Sequence, residues 1–102
     1  MINKELVITL IEERSRLHPD DPRTSEYWSK LTDELSKNKT DVIDFLNNCT
    51  DTQIYWLSEI FEDISAIFKS SVFIECLKAL QRKYPELDLE SDIEYAEKAI
   101  KG

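Results

Sequence analysis

The sequence predicts an all-α fold: about six short antiparallel helices, packed as one compact irregular bundle or as a stack of helical hairpins. Three observations carry this. Glycine occurs once, at Gly102, and proline only at 19, 22 and 85, so the turn punctuation of a β protein is missing. Apolar residues recur at intervals of three and four along most of the chain. At 102 residues the chain suffices for one core and hardly for two, so residues 1–102 are read as a single domain. An apolar content of 41% supplies that core, and 33% charged residues do not reach the composition of a disordered chain.

The first helix spans roughly 3–17, with Asn3 as N-cap and Leu6, Val7, Leu10, Ile11 and Leu17 near one face. His18-Pro19-Asp20-Asp21-Pro22 breaks it, because proline removes a donor and disfavours helical geometry in the residue before it. A second helix runs from Thr24 or Ser25 to Ser36 with Tyr27, Trp28, Leu31 and Leu35 on one stripe. Thr40 caps a third over 41–48, which buries Val42, Ile43, Phe45 and Leu46. Thr50-Asp51-Thr52-Gln53 has the form of a capping box, so a fourth helix begins at Asp51 and runs to about Phe68. Its apolar residues, Ile54, Trp56, Leu57, Ile60, Phe61, Ile64, Ile67 and Phe68, cover nearly half the circumference, which makes it the central helix. Ser70-Ser71 starts a fifth, with Phe73, Cys76, Leu77, Leu80 and Tyr84 inward, until Tyr84-Pro85 stops it. Asp88 caps a sixth, whose stripe is Leu89, Ile93, Ala96 and Ile100. Helices one and two, three and four, and five and six suggest a repeat, but no fixed period or residue signature recurs.

The formal net charge is −8, unevenly placed. Residues 1–40 hold eight acids and seven bases; 41–68 hold six acids and no Lys or Arg; 69–85 hold four bases and one acid; 86–102 hold six acids and two bases. Such a field repels phosphate backbones and favours encounter with a cationic partner, so direct nucleic-acid binding is not expected. The start lacks a basic segment followed by an apolar one, and no apolar run reaches the length of a membrane span. A cytoplasmic protein without membrane contact is the expectation, with Cys49 and Cys76 as free thiols in apolar settings.

Catalytic chemistry finds no foothold. The one histidine, His18, sits in the proline loop as a solvent-facing residue with no nucleophile motif beside it. No C-x-x-C, H-x-x-x-H or calcium loop is present, and no glycine-rich loop offers backbone amides to a phosphate. Adjacent carboxylates such as Glu62-Asp63 point about 100° apart on a helix and make poor partners for one ion. A protein without enzymatic activity, metal or cofactor is expected.

What remains is the polar side of the fourth helix, where Tyr55, Glu59, Glu62 and Asp63 fall within a narrow arc, with Asp51 one turn before Tyr55 and Trp56 at the border of the apolar face. Aromatic residues anchor binding surfaces, and carboxylates around them orient Lys or Arg of a partner. The plain alternative is a solvated outer face.

The second half of the chain carries a resemblance, in Ile54-Tyr55-Trp56-Leu57-Ser58-Glu59-Ile60-Phe61-Glu62-Asp63-Ile64, Phe73-Ile74-Glu75-Cys76-Leu77, Lys83-Tyr84-Pro85-Glu86-Leu87 and Ile93-Glu94-Tyr95-Ala96. It resembles small helical immunity proteins encoded beside bacterial polymorphic toxins, including those of contact-dependent growth-inhibition systems, over residues 50–100. The resemblance implies a cytoplasmic antidote that binds its cognate toxin one to one, often a nuclease domain, and covers the active site or substrate cleft. The expected partner-binding residues are Tyr55, Trp56, Glu59, Glu62 and Asp63, joined by Glu90 and Glu94 of the last helix. A helical adaptor or dimerisation module, self-associating through the wide apolar face of the fourth helix, is the rival expectation.

Overall fold

Where the helices after Asn3, Asn38, Thr50 and Ser70 begin follows from which side chain takes up their first free backbone N–H groups. In the computed structural model, which describes residues 2–101, Asn3 accepts from the Leu6 amide at 3.1 Å and starts α1 (Lys4–Ser15). The loop to α2 (Thr24–Leu35) is held by Asp21, whose carboxylate accepts from the backbone and guanidinium of Arg23; those bonds lower its pKa to about 2. Asn38, rather than Thr40, caps α3 (Lys39–Asn47), accepting from the Asp41 amide at 3.0 Å. The helix thus starts two residues before the sequence reading placed it. The capping box at Thr50 and Gln53 is present in both directions, at 3.2 and 2.9 Å, and opens α4 (Asp51–Leu57).

The expected single helix over 51–68 is interrupted. A 3₁₀ turn at Ser58–Ile60 separates α4 from α5 (Phe61–Phe68). The Ser58 hydroxyl donates to the Tyr55 carbonyl at 2.5 Å, competing for a backbone acceptor, and Ile60 leaves helical geometry with φ −118° and ψ 9°. Ser70 then caps α6 (Ser71–Lys83), and a second 3₁₀ turn at Pro85–Leu87 leads to α7 (Glu90–Lys101). Asp88 does not cap α7. It sits in the left-handed region, φ 51°, closing the 3₁₀ turn, while the Leu89 amide that precedes α7 is taken by Gln81 at 2.6 Å. The protein is all-α, a helical bundle with no strand among the described residues.

Contacts along the helices set their directions. Asn3, before α1, donates its amide to Glu34 near the end of α2 at 2.9 Å, so these two run antiparallel. The same holds for α6 and α7, since Ser71 and Ile74 face Ile100 and Lys101, whereas Gln81 and Arg82 face Glu90 and Glu94. The longest seam is between α5 and α7, where the buried Ser65 hydroxyl donates to the Ala96 carbonyl at 2.6 Å. Helix α3 packs on α6, and α4 on α1, so the three-with-four pairing suggested by chain order is not the principal one.

The buried side chains form one contiguous cluster drawn from every α-helix. Ile54, Leu57, Ile60, Phe61 and Ile64 are fully enclosed, placing the interrupted α4–α5 rod at the centre. Its end departs from the expected stripe: Ile67 is 55% exposed, while Ile64 and Ser65 are buried and Phe68 packs partly against the core. Leu6 also stands exposed at the start of α1, whose inward line is Val7, Leu10, Ile11 and Arg14. Cys49 and Cys76 are buried free thiols; desolvation pushes Cys49 up to about 12 and raises Cys76.

Candidate partner-binding surface

The 3₁₀ turn splits the acidic face that a continuous helix would have carried. Glu59, in that turn, points at Arg14 of α1. The guanidinium donates from Nε to Oε1 at 2.9 Å and from Nη2 to Oε2 at 2.6 Å, and Trp28 of α2 donates its indole N–H to Oε1 at 3.0 Å. Arg14 also lies 4.9 Å from the centre of the Trp56 ring and reaches the Leu17 carbonyl. Only 2% of the Arg14 side chain is exposed, against 27% of Glu59. A buried guanidinium demands such a set of acceptors, and the bidentate fork supplies two at once. Glu59 is therefore committed inside the protein and is not a free carboxylate for a partner.

Tyr55 is 51% exposed and packs its ring edge-on against Trp56, with centroids 5.0 Å apart. Trp56 is half-buried against the core, as its border position in the sequence suggests. Glu62 is exposed on the first turn of α5 and has no ion pair or hydrogen bond to another described side chain. Asp63 is exposed beside it and lines a groove between α5 and α2. Glu90 and Glu94 lie elsewhere, along the α6–α7 groove with Lys78, Gln81, Arg82 and Glu97; Glu94 pairs there with Lys98 at 3.5 Å. The structure thus brings Tyr55 to Trp56 and leaves Glu90 and Glu94 on a groove with bases of its own.

The last helix does approach the site through another residue. Burial raises the pKa of Asp92, and the nearby charges of Asp88 and Glu59 push it in the same direction. An acidic residue of the 3₁₀ turn and one near the start of α7, Glu59 and Asp92, therefore act on one another.

Arg14 and Trp28 escaped the sequence reading. The available signal was Arg14 itself: it continues the line of Val7, Leu10 and Ile11 at helical spacing, and a charge on an inward stripe calls for a buried partner. Which acid answers it, 45 residues away, is beyond any local pattern. His18 is 75% exposed and its Nδ1 accepts from the Asp20 amide, a loop role. Among the described residues no three His, Cys, Asp or Glu side chains are gathered to hold a metal, and no helix is long and apolar enough to cross a membrane. Comparison with protein-family models, curated proteins and solved structures finds no match to this chain.

Proposed function

We propose that this protein is a cytoplasmic immunity protein that binds a basic toxin one to one and covers its active site or substrate cleft, without catalysing a reaction. The observation that carries the reading is that Tyr55, half out of the surface, and Glu62, which has no internal partner, both stand on a segment devoid of Lys and Arg. An exposed aromatic supplies contact area, and an uncompensated carboxylate on the same segment supplies attraction to cations. The internal Arg14–Glu59 bond contributes by fixing Trp56, against which Tyr55 leans, so the aromatic pair is held in place before binding. The resemblance of residues 50–100 to immunity proteins points to a nuclease domain as the class of toxin.

Co-expression with the product of the adjacent gene tests this. A one-to-one complex is expected, with an association rate that falls as salt rises. Tyr55→Ala with Glu62→Lys should weaken it at least tenfold while leaving the melting temperature of the free protein nearly unchanged. No complex with a basic protein, or an affinity indifferent to both substitutions, removes the reading.

The dimerisation rival loses the face it would have used, because the wide apolar stripe of the α4–α5 rod is spent on the protein's own core. What it retains is Ile67 and Val72, 55% and 58% exposed on either side of the α5–α6 turn. A melting midpoint that rises with protein concentration, abolished by Ile67→Lys, would favour it.

A further inference from the structure

Helix α2 turns a polar stripe toward α5. Ser25, Trp28, Ser29, Thr32 and Asp33 follow one another at steps of three, one, three and one, which places them on a single face, and Asp63 on the first turn of α5 forms the other wall. The groove between them has a volume of about 350 Å³, at the small end of ligand sites. Its chemistry is one-sided. Neither Asp33 nor Asp63 has an ion-pair or hydrogen-bond partner among the described residues, and no Lys, Arg or His lines the groove. Thr32 is 9% exposed, and its hydroxyl is buried without a hydrogen-bond partner, an arrangement that costs stability unless something supplies the missing bond.

We infer that this groove is a socket for an arginine side chain of the protein partner. The inference rests on the reading that the partner is a basic protein, and it names the group by which that partner is held. Two carboxylates and the hydroxyls of Ser25 and Ser29 line the groove, with the buried Thr32 hydroxyl beneath, and the uncompensated negative charge disfavours an anion. Among the described residues no three His, Cys, Asp or Glu side chains are gathered to hold a metal ion, here or elsewhere. A guanidinium carries five donors and no acceptor, its planar fork can address carboxylates on both walls, and it stacks on indole rings such as that of Trp28. Asp63 of the socket follows Glu62 in the first turn of α5, so an arginine seated there brings the partner to the acidic start of that helix.

The socket can be tested without the partner. The probe is the capped tripeptide acetyl-Gly-Arg-Gly-amide titrated into ¹⁵N-labelled full-length protein, with the neutral isostere acetyl-Gly-citrulline-Gly-amide as control. Saturable shifts are expected at the Trp28 indole N–H and at the amides of Ser29, Thr32, Asp33 and Asp63. The citrulline peptide should bind at least tenfold more weakly. Asp33→Asn with Asp63→Asn should weaken the arginine peptide at least tenfold, while the remaining cross-peaks keep their positions and report an intact fold. Shifts spread evenly over all acidic segments, equal binding of the two peptides, or no saturable shift overturns the socket. Such a result leaves the toxin complex to be judged by its own experiment, and a toxin complex unaffected by the double substitution overturns the socket while sparing the wider reading.

Discussion

Where α1 meets the 3₁₀ turn, Arg14 and Glu59 join through two hydrogen bonds with the guanidinium 2% exposed; where α6 meets α7, Lys78 and Glu97 stand 3.6 Å apart with 40% and 46% of their side chains in solvent. Both are ion pairs between different helical elements. In the first the guanidinium has given up water and depends on its carboxylate, whereas in the second both groups keep theirs. Solvation, more than the charges themselves, decides what each pair contributes. The same difference separates Glu59, committed to the fold, from Glu62 and Asp63, whose carboxylates are open to a partner.

The largest effect that could break this comparison is at Arg14. Arg14→Met should cost about 3 kcal/mol in urea unfolding, because it strips Glu59 of its charge partner and the Trp56 ring of its cation. Adding Glu59→Gln should recover part of the loss, since a neutral amide still accepts from Trp28. A cost no greater than that of an exposed pair would show that the buried guanidinium is solvated after all. An intermediate effect belongs to the α5–α6 turn, where Lys69 occupies the left-handed region at φ 48° without being glycine. Lys69→Gly should stabilise the protein by about 1 kcal/mol, read from the shift in melting temperature. The smallest effect is at the open pair: Lys78→Met should change stability by less than about 0.5 kcal/mol, and high salt should erase even that.

Several parts of the fold were legible because they are local. The capping box at Thr50 and Gln53 and the N-cap at Asn3 need only four residues to specify. Errors arose where a competing local interaction was hidden. Asn38 outran Thr40 as a cap, and Ser58 diverted the Tyr55 carbonyl and split a helix that its apolar period ran straight through. The candidate surface was half legible. Tyr55, Glu62 and Asp63 are exposed as their positions require, whereas Glu59 was drawn inward by an arginine the sequence places 45 residues away.

The sequence by itself determined the all-α class, the inward stripes and the acidic character of residues 41–68, because helix periodicity, caps and charge are properties of neighbours along the chain. Only the tertiary structure decided which acid is spent on Arg14, that α3 packs on α6, and that Asp33 and Asp63 meet across one groove. Those are meetings between helices, and a groove between helices exists only once burial of the shared core has fixed how they lie against one another.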